Sequence, residues 1–106
     1  MVDFRDIQAL ADRIVKQFNP ERIILFGSYA AGTAGPDSDV DLLVVLPFEG
    51  KTWKMASTIR SRTRPSFPMD LLVRTPQQLR QRLAMHDVFM RDITRKGKML
   101  YEARNC

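Results

Sequence analysis

The chain has 106 residues and a mass of 12.2 kDa, enough for one small domain with one hydrophobic core. Its 44% hydrophobic and 27% charged residues argue against a disordered chain. Residues 1–50 hold four Lys/Arg and eight Asp/Glu and residues 51–106 hold 13 and four, which predicts a basic face suited to an anionic partner or substrate. We expect a cytoplasmic protein without a membrane span, secretory signal or disulfide framework, since no long apolar run occurs and Cys106 is the single cysteine.

Hydrophobic periodicity predicts helices and strands that alternate along the chain. Apolar side chains that recur every three or four residues indicate helices, and short apolar runs bounded by glycine or proline indicate strands. The predicted elements are a helix over residues 2–18, a strand over 22–26, a helical turn over 28–32 with Ser28 as its N-cap, a strand over 39–46, a helix over 51–61, a strand over 67–73, helices over 76–84 and 87–96, and an edge strand over 99–101. This order predicts an α/β layer fold in which helices cover a sheet, and it leaves the direction of each strand open.

Two aspartates stand at the start of the second predicted strand. Asp39 and Asp41 are two residues apart, so both carboxylates project from the same face of a strand. Neighbouring carboxylates raise each other's pKa unless a cation lies between them, and Mg²⁺ prefers one or two carboxylates together with phosphate oxygens. For Asp39 the alternative is a turn in which its side chain only caps the backbone.

A third aspartate, Asp70, interrupts the third predicted strand on the face opposite to its alternating apolar neighbours. Such a carboxylate could face solvent or pair with Arg74. If the second and third strands are neighbours, however, Asp39, Asp41 and Asp70 converge. Three convergent carboxylates suit two divalent ions about 3.5–4 Å apart, the arrangement used in phosphoryl-group transfer.

Gly27 and Ser28, between the first strand and the helical turn, offer complementary chemistry. Glycine lets the backbone approach a ligand closely, and Ser28 opens a helix whose N-terminal amides favour a phosphate. The pair is not a Walker A loop, because no Gly-Lys-Ser/Thr follows at the required spacing. Strand-to-helix turns of this kind also occur with a purely structural use.

Together, Gly27-Ser28, Asp39-x-Asp41 and Asp70 resemble the site motif of the DNA polymerase β-type nucleotidyltransferase superfamily. Residues 27–30, 38–42 and 97–102 look most like its minimal nucleotidyltransferase (MNT) family, and the resemblance covers nearly the whole chain. It implies one nucleotidyltransferase domain over residues 1–106, with a mixed sheet of three or four strands covered by helices. Ala31 departs from the family pattern, which often has arginine there, so that contribution is missing or comes from another arginine.

The resemblance also implies the role of each residue. The aspartates matching Asp39 and Asp41 hold two Mg²⁺ ions, and the one matching Asp70 completes the metal site and activates the attacking hydroxyl. Gly27 and Ser28 match the residues that grip the triphosphate of ATP. The implied reaction is attack on the α-phosphorus, which leaves AMP on the acceptor and releases pyrophosphate.

MNT proteins commonly act as antitoxins of HEPN-domain toxins, so the resemblance implies transfer of AMP to a tyrosine of such a partner. The short chain is expected to leave no room for an acceptor-binding domain of its own. Two other hypotheses stay open: a binding module that masks a partner's active site, and nucleotide transfer to a small molecule such as an aminoglycoside or to RNA. Arg60, Arg62 and Arg64 are interpreted as a solvated basic segment rather than a direct nucleic-acid ligand. An edge strand could support self-association.

Overall fold

The fold is built on a four-stranded sheet with helices on both faces. The computed structural model describes residues 1–104, so Cys106 lies outside the described residues. In chain order the elements are α1 (Phe4–Phe18), β1 (Arg22–Phe26), α2 (Ser28–Ala31), β2 (Val40–Val45), α3 (Thr52–Thr63), β3 (Met69–Arg74), α4 (Pro76–Ala84), α5 (Val88–Lys96) and β4 (Lys98–Glu102). Every element predicted from the sequence is present, with its ends within two residues of the prediction, and the α/β class is confirmed.

The sheet has the strand order β3-β2-β1-β4 and is mixed, as the resemblance implies. β1 pairs antiparallel with both β2 and β4, whereas β2 and β3 run parallel. A parallel pair needs a crossover connection, which α3 provides here. β3 and β4 are consequently the edge strands.

Two hydrophobic cores lie on the two faces of the sheet, because successive strand side chains point to opposite sides, so the prediction of one core from chain length is wrong. α1 and α3 cover the larger core. Its fully buried side chains include Ile7, Leu10, Ile14, Leu42 and Ile59. α4 and α5 cover the smaller core, which consists of Ile24, Leu43, Val45, Leu79, Met90 and Ile93.

The limits of α1 follow from local backbone chemistry. Asp3 is the N-cap, and its carboxylate accepts a hydrogen bond of 2.8 Å from the amide of Arg5. Asn19 ends the helix in the left-handed conformation, and its amide donates to the carbonyl of Val15 at 3.0 Å. No helix within residues 1–104 has both the length and the apolar character that a membrane span requires.

Candidate functional site

Gly27, between β1 and α2, is fixed by its backbone and by a neighbouring side chain. Its φ of 74° lies in the left-handed region, and it is the N-cap of α2. A β-carbon at this position would overlap a carboxylate oxygen of Asp41 and stand 3.1 Å from its Cγ. Only glycine satisfies both conditions. The prediction that Ser28 caps α2 is wrong, since Ser28 is the first helical residue and no side chain among residues 1–104 caps this end.

Asp41 and Asp70 lie side by side in the parallel pair of β2 and β3. The prediction that these two strands are neighbours is confirmed. Both aspartates lie on the face of the smaller core, because Asp41 alternates with Leu43 and Asp70 with Leu72. Asp41 is half-buried and Asp70 is exposed. The register therefore brings two carboxylates together from residues 29 positions apart in the sequence.

The surroundings of Asp41 disfavour the charged form of its carboxyl group. Burial raises the pKa of the Asp41 carboxyl, and the negative charges of Asp70 and then of Asp39 raise it further. Within residues 1–104, neither Asp41 nor Asp70 forms an ion pair, so the pairing of Asp70 with Arg74 considered from the sequence is absent. The Arg74 guanidinium instead donates to the carbonyl of Val73 at 2.7 Å.

Asp39 lies outside the paired segments of β2 and β3 that hold Asp41 and Asp70. β2 begins at Val40, so Asp39 precedes the strand and is exposed. The convergence of three carboxylates is therefore not observed: within residues 1–104, no three His, Cys, Asp or Glu side chains are grouped to hold a metal ion. Sheet register fixes the positions of Asp41 and Asp70, but it does not constrain a side chain that precedes the strand.

The turn before β2 is held by Ser38. Its hydroxyl accepts a hydrogen bond of 2.9 Å from the amide of Gly35, and its own amide donates to the carbonyl of Gly35 at 3.2 Å. Asp39 follows this turn directly. The turn therefore places Asp39 close enough for its negative charge to raise the pKa of Asp41.

The donor chemistry of the Asp41–Asp70 pair fits Mg²⁺. This ion is usually bound by one or two carboxylates, with water and substrate phosphates completing its octahedron. Two adjacent carboxylates that form no ion pair with a basic side chain of residues 1–104 meet that requirement.

A cleft of about 460 Å³ opens beside Gly27, between α2 and α5. Its mostly apolar wall includes Ala31 and the rings of Phe26 and Phe89, which meet edge to face with centroids 5.8 Å apart. Lys96 is the basic residue of this wall. Sequence reasoning missed the cleft because α5 approaches β1 from more than 60 residues away, and no local pattern indicates that approach.

Residues 7–100 match the family model for the nucleotidyltransferase domain. The match runs from α1 into β4 and includes all five candidate site residues. The chain therefore belongs to the nucleotidyltransferase domain family, and its enzyme class is that of the nucleotidyltransferases. Among curated proteins, none matches this sequence.

Solved structures share the fold at low sequence identity. A Sulfolobus solfataricus protein assigned as a nucleotidyltransferase is 18% identical, with a TM-score of 0.64 over 92% of this chain and 78% of that one. A toxin–antitoxin structure with AMP-PNP is 23% identical, with a TM-score of 0.54 over 92% and 74% of the two chains. A mutant MntA–HpeT toxin–antitoxin structure is 20% identical, with a TM-score of 0.55 over 97% and 76%. At these identities the likeness shows the fold.

Proposed function

We propose that this nucleotidyltransferase transfers AMP from ATP to a hydroxyl group of a partner protein, a tyrosine of a HEPN-domain toxin, and so acts as an antitoxin. The observation that carries the proposal is the pairing of Asp41 with Asp70 directly beside Gly27. The toxin–antitoxin structure with AMP-PNP, which shares the fold, supports ATP as the substrate.

The proposed metal ligands are Asp39, Asp41 and Asp70. Asp41 and Asp70 are held by the sheet, and Asp39 is free to turn toward them because it precedes β2. When bound, two Mg²⁺ ions supply positive charge for the phosphate oxygens of ATP. Asp70 is the exposed member of the pair, so it is also placed to accept the proton of an incoming hydroxyl while the new bond to the α-phosphorus forms and pyrophosphate leaves.

Gly27 and Ser28 are the proposed triphosphate-binding residues. Gly27 has no side chain, so a phosphate oxygen can approach the backbone amides at the start of α2. Ser28 adds a hydroxyl that can donate a hydrogen bond. These individual donors matter more than the macrodipole, which is small in a helix of four residues.

The proposal is tested by label transfer from α-³²P-ATP in a host lysate containing Mg²⁺. We expect the purified chain to label one band, and the double variant Asp39→Asn/Asp41→Asn to label none. Asp37→Asn is the matched control, since it removes an exposed carboxylate from the adjacent turn. Thermal melts of all three proteins verify folding. Undiminished labelling by the folded double variant would contradict the mechanism.

A second candidate function is neutralisation of a partner by binding alone. It is favoured by the absence of a three-carboxylate metal group within residues 1–104 and by Ala31 at the position where the resembling family often has arginine. The variant Asp39→Asn/Asp41→Asn/Asp70→Asn distinguishes the two candidates. Full protection of a toxin's target by this variant would establish neutralisation without transfer, and loss of protection would establish that transfer is required.

A further inference from the structure

We propose that the outer edge of β3 is a docking site for an extended acidic segment of a partner protein, which adds to the sheet as a fifth strand. The site consists of this strand edge and the groove between β3 and α3. It is separate from the candidate nucleotidyl-transfer site, so the inference does not depend on the proposed function.

The outward backbone groups of β3 are those of its odd-numbered residues. The carbonyls of Pro68 and Arg74 accept hydrogen bonds of 3.1 Å from the β2 segment. Alternate residues of a strand direct their backbone groups to the same side, so Met69, Leu71 and Val73 direct theirs away from β2.

Arginine side chains already donate to this edge. The guanidinium of Arg60 donates to the carbonyl of Met69 at 2.9 Å, and that of Arg74 donates to the carbonyl of Val73 at 2.7 Å. Between them, the outward groups of Leu71 have no hydrogen-bond partner within residues 1–104. An added strand would replace flexible side-chain donors with backbone donors and would also satisfy Leu71.

A groove of about 450 Å³ runs along this edge. One wall is formed by residues 71–74 of β3 and the other by α3. Trp53 is 64% exposed at the groove, and the small side chains of Ala56 and Ser57 leave room beside it. An open strand edge next to a partly apolar groove is the arrangement used in β-strand addition, where backbone hydrogen bonds give affinity and side-chain pockets give specificity.

Charge around the groove selects an acidic occupant. Residues 50–69 contain five Lys/Arg and no Asp/Glu, and Arg60 and Arg74 both line the groove. A second copy of the chain would bring two positively charged surfaces together, which is unfavourable across a strand pair. RNA would require a series of stacking rings, and Trp53 is the aromatic residue of the lining. An extended acidic peptide satisfies both the backbone groups and the charge.

The test is a selection, from a display library of random ten-residue peptides, of those that bind the intact protein. We expect acidic sequences with alternating β-branched residues that shift the fluorescence of Trp53, the single tryptophan. Arg60→Glu should weaken their binding about tenfold or more, whereas Arg80→Glu, an exposed change on α4, should not weaken it. Methylation of alternate peptide amides should abolish binding, because it removes the donors to β3.

Several outcomes would overturn this inference. Selected peptides without acidic residues would do so, as would binding that Arg60→Glu or amide methylation leaves intact. Binding of a uridylate oligomer, with no acidic peptide selected, would assign the surface to RNA. A dimer in sedimentation that Arg60→Glu dissociates would assign the edge to a second copy of the chain.

Discussion

Gly27 allows the β1–α2 turn to lie directly against the carboxylate of Asp41, a candidate catalytic residue. Gly27 and Gly32 have nearly the same φ, 74° and 77°, but a β-carbon at Gly32 would meet nothing within 4 Å. The two positions therefore form a natural pair of variants. Their ψ angles differ, −152° at Gly27 and 17° at Gly32, so the contact with Asp41 is isolated by comparing Gly27→Ala with and without the Asp41 side chain.

We predict that Gly27→Ala destabilises the protein by more than Gly32→Ala, which should cost about 1–2 kcal/mol for the left-handed conformation alone. Part of the additional loss arises because the new methyl group displaces the Asp41 carboxylate, and part because the ψ of −152° at Gly27 is a conformation that only glycine adopts readily. Urea unfolding measures both variants. Repeating the comparison with Asp41→Ala in the background should reduce the difference, and an unchanged difference would exclude Asp41 as a contributor.

The charge of Asp41 should reduce stability at neutral pH. Because the pKa of Asp41 is raised in the folded state, the folded protein holds this proton more tightly than the unfolded chain does. The resulting penalty is absent below the unfolded pKa, near 3.8, and fully present above the folded pKa. Stability contributed by this group therefore falls as pH rises through that interval.

We predict that Asp41→Asn melts at a higher temperature than the unmodified protein at pH 7 in EDTA, and that this advantage shrinks as the pH approaches 4. Thermal melts across this range measure it. Asp37→Asn, in an exposed turn, provides the comparison. An advantage of Asp41→Asn that does not change with pH would have another origin than the charge.

At the scale of elements, α4 shows how local signals determine a helix start. Thr75 accepts a hydrogen bond from the amide of Gln78 at 3.0 Å, and the Gln78 side chain accepts one from the amide of Thr75 at 2.9 Å. Pro76 occupies the first helical position, where its missing amide hydrogen is not needed. This reciprocal box orients the helix that places Leu79 in the smaller core.

We predict that Thr75→Ala lowers the free energy of unfolding by about 1 kcal/mol, because an amide at the start of α4 loses its acceptor. Thr75→Ser keeps the hydroxyl and should stay close to the unmodified protein. Urea unfolding distinguishes the two. Equal losses in both variants would point to the methyl group of Thr75 rather than to the capping box.

The elements that sequence predicts well carry their signals locally. Thr75-Pro76 marks the start of α4, and Asn19-Pro20 marks the end of α1. Asp41 and Asp70 were recognisable because each interrupts an apolar strand. Their adjacency is a matter of sheet register, which alternation along a single strand does not reveal.

The features that sequence analysis placed wrongly or missed depend on contacts between distant elements or on strand ends. Asp39 falls outside β2 because the strand begins one residue later than predicted. The groove beside Trp53 exists because α3 packs against an edge strand, and strand order is not encoded in any local pattern. These are tertiary properties, so they emerge only when the sheet is assembled.

For the whole molecule, β4 completes the sheet by covering the open side of β1. Arg22, Ile23, Ile24 and Leu25 all have partners in β4. Gly97 allows this docking, since a β-carbon there would stand 2.5 Å from Ile24 Cγ2 and 2.9 Å from the carbonyl of Leu25. The last strand along the chain thus pairs with the first.

We predict that a chain ending at Gly97 loses cooperative unfolding and aggregates, because β1 becomes an exposed edge with buried-type side chains. A chain ending at Arg104 retains β4 and should unfold cooperatively. Circular dichroism melts and light scattering compare the two. A soluble, cooperatively unfolding chain without β4 would show that β1 is stable as an edge strand.

The strand order β3-β2-β1-β4 also determines when each strand can find its partner during synthesis on the ribosome. β1 is made within the first 26 residues, and β2 can pair with one side of it early. Its other side waits until residues 98–102 have been translated and released from the exit tunnel. Throughout that interval the nascent chain presents an unpaired strand edge, the kind of surface that makes incompletely folded chains prone to aggregation.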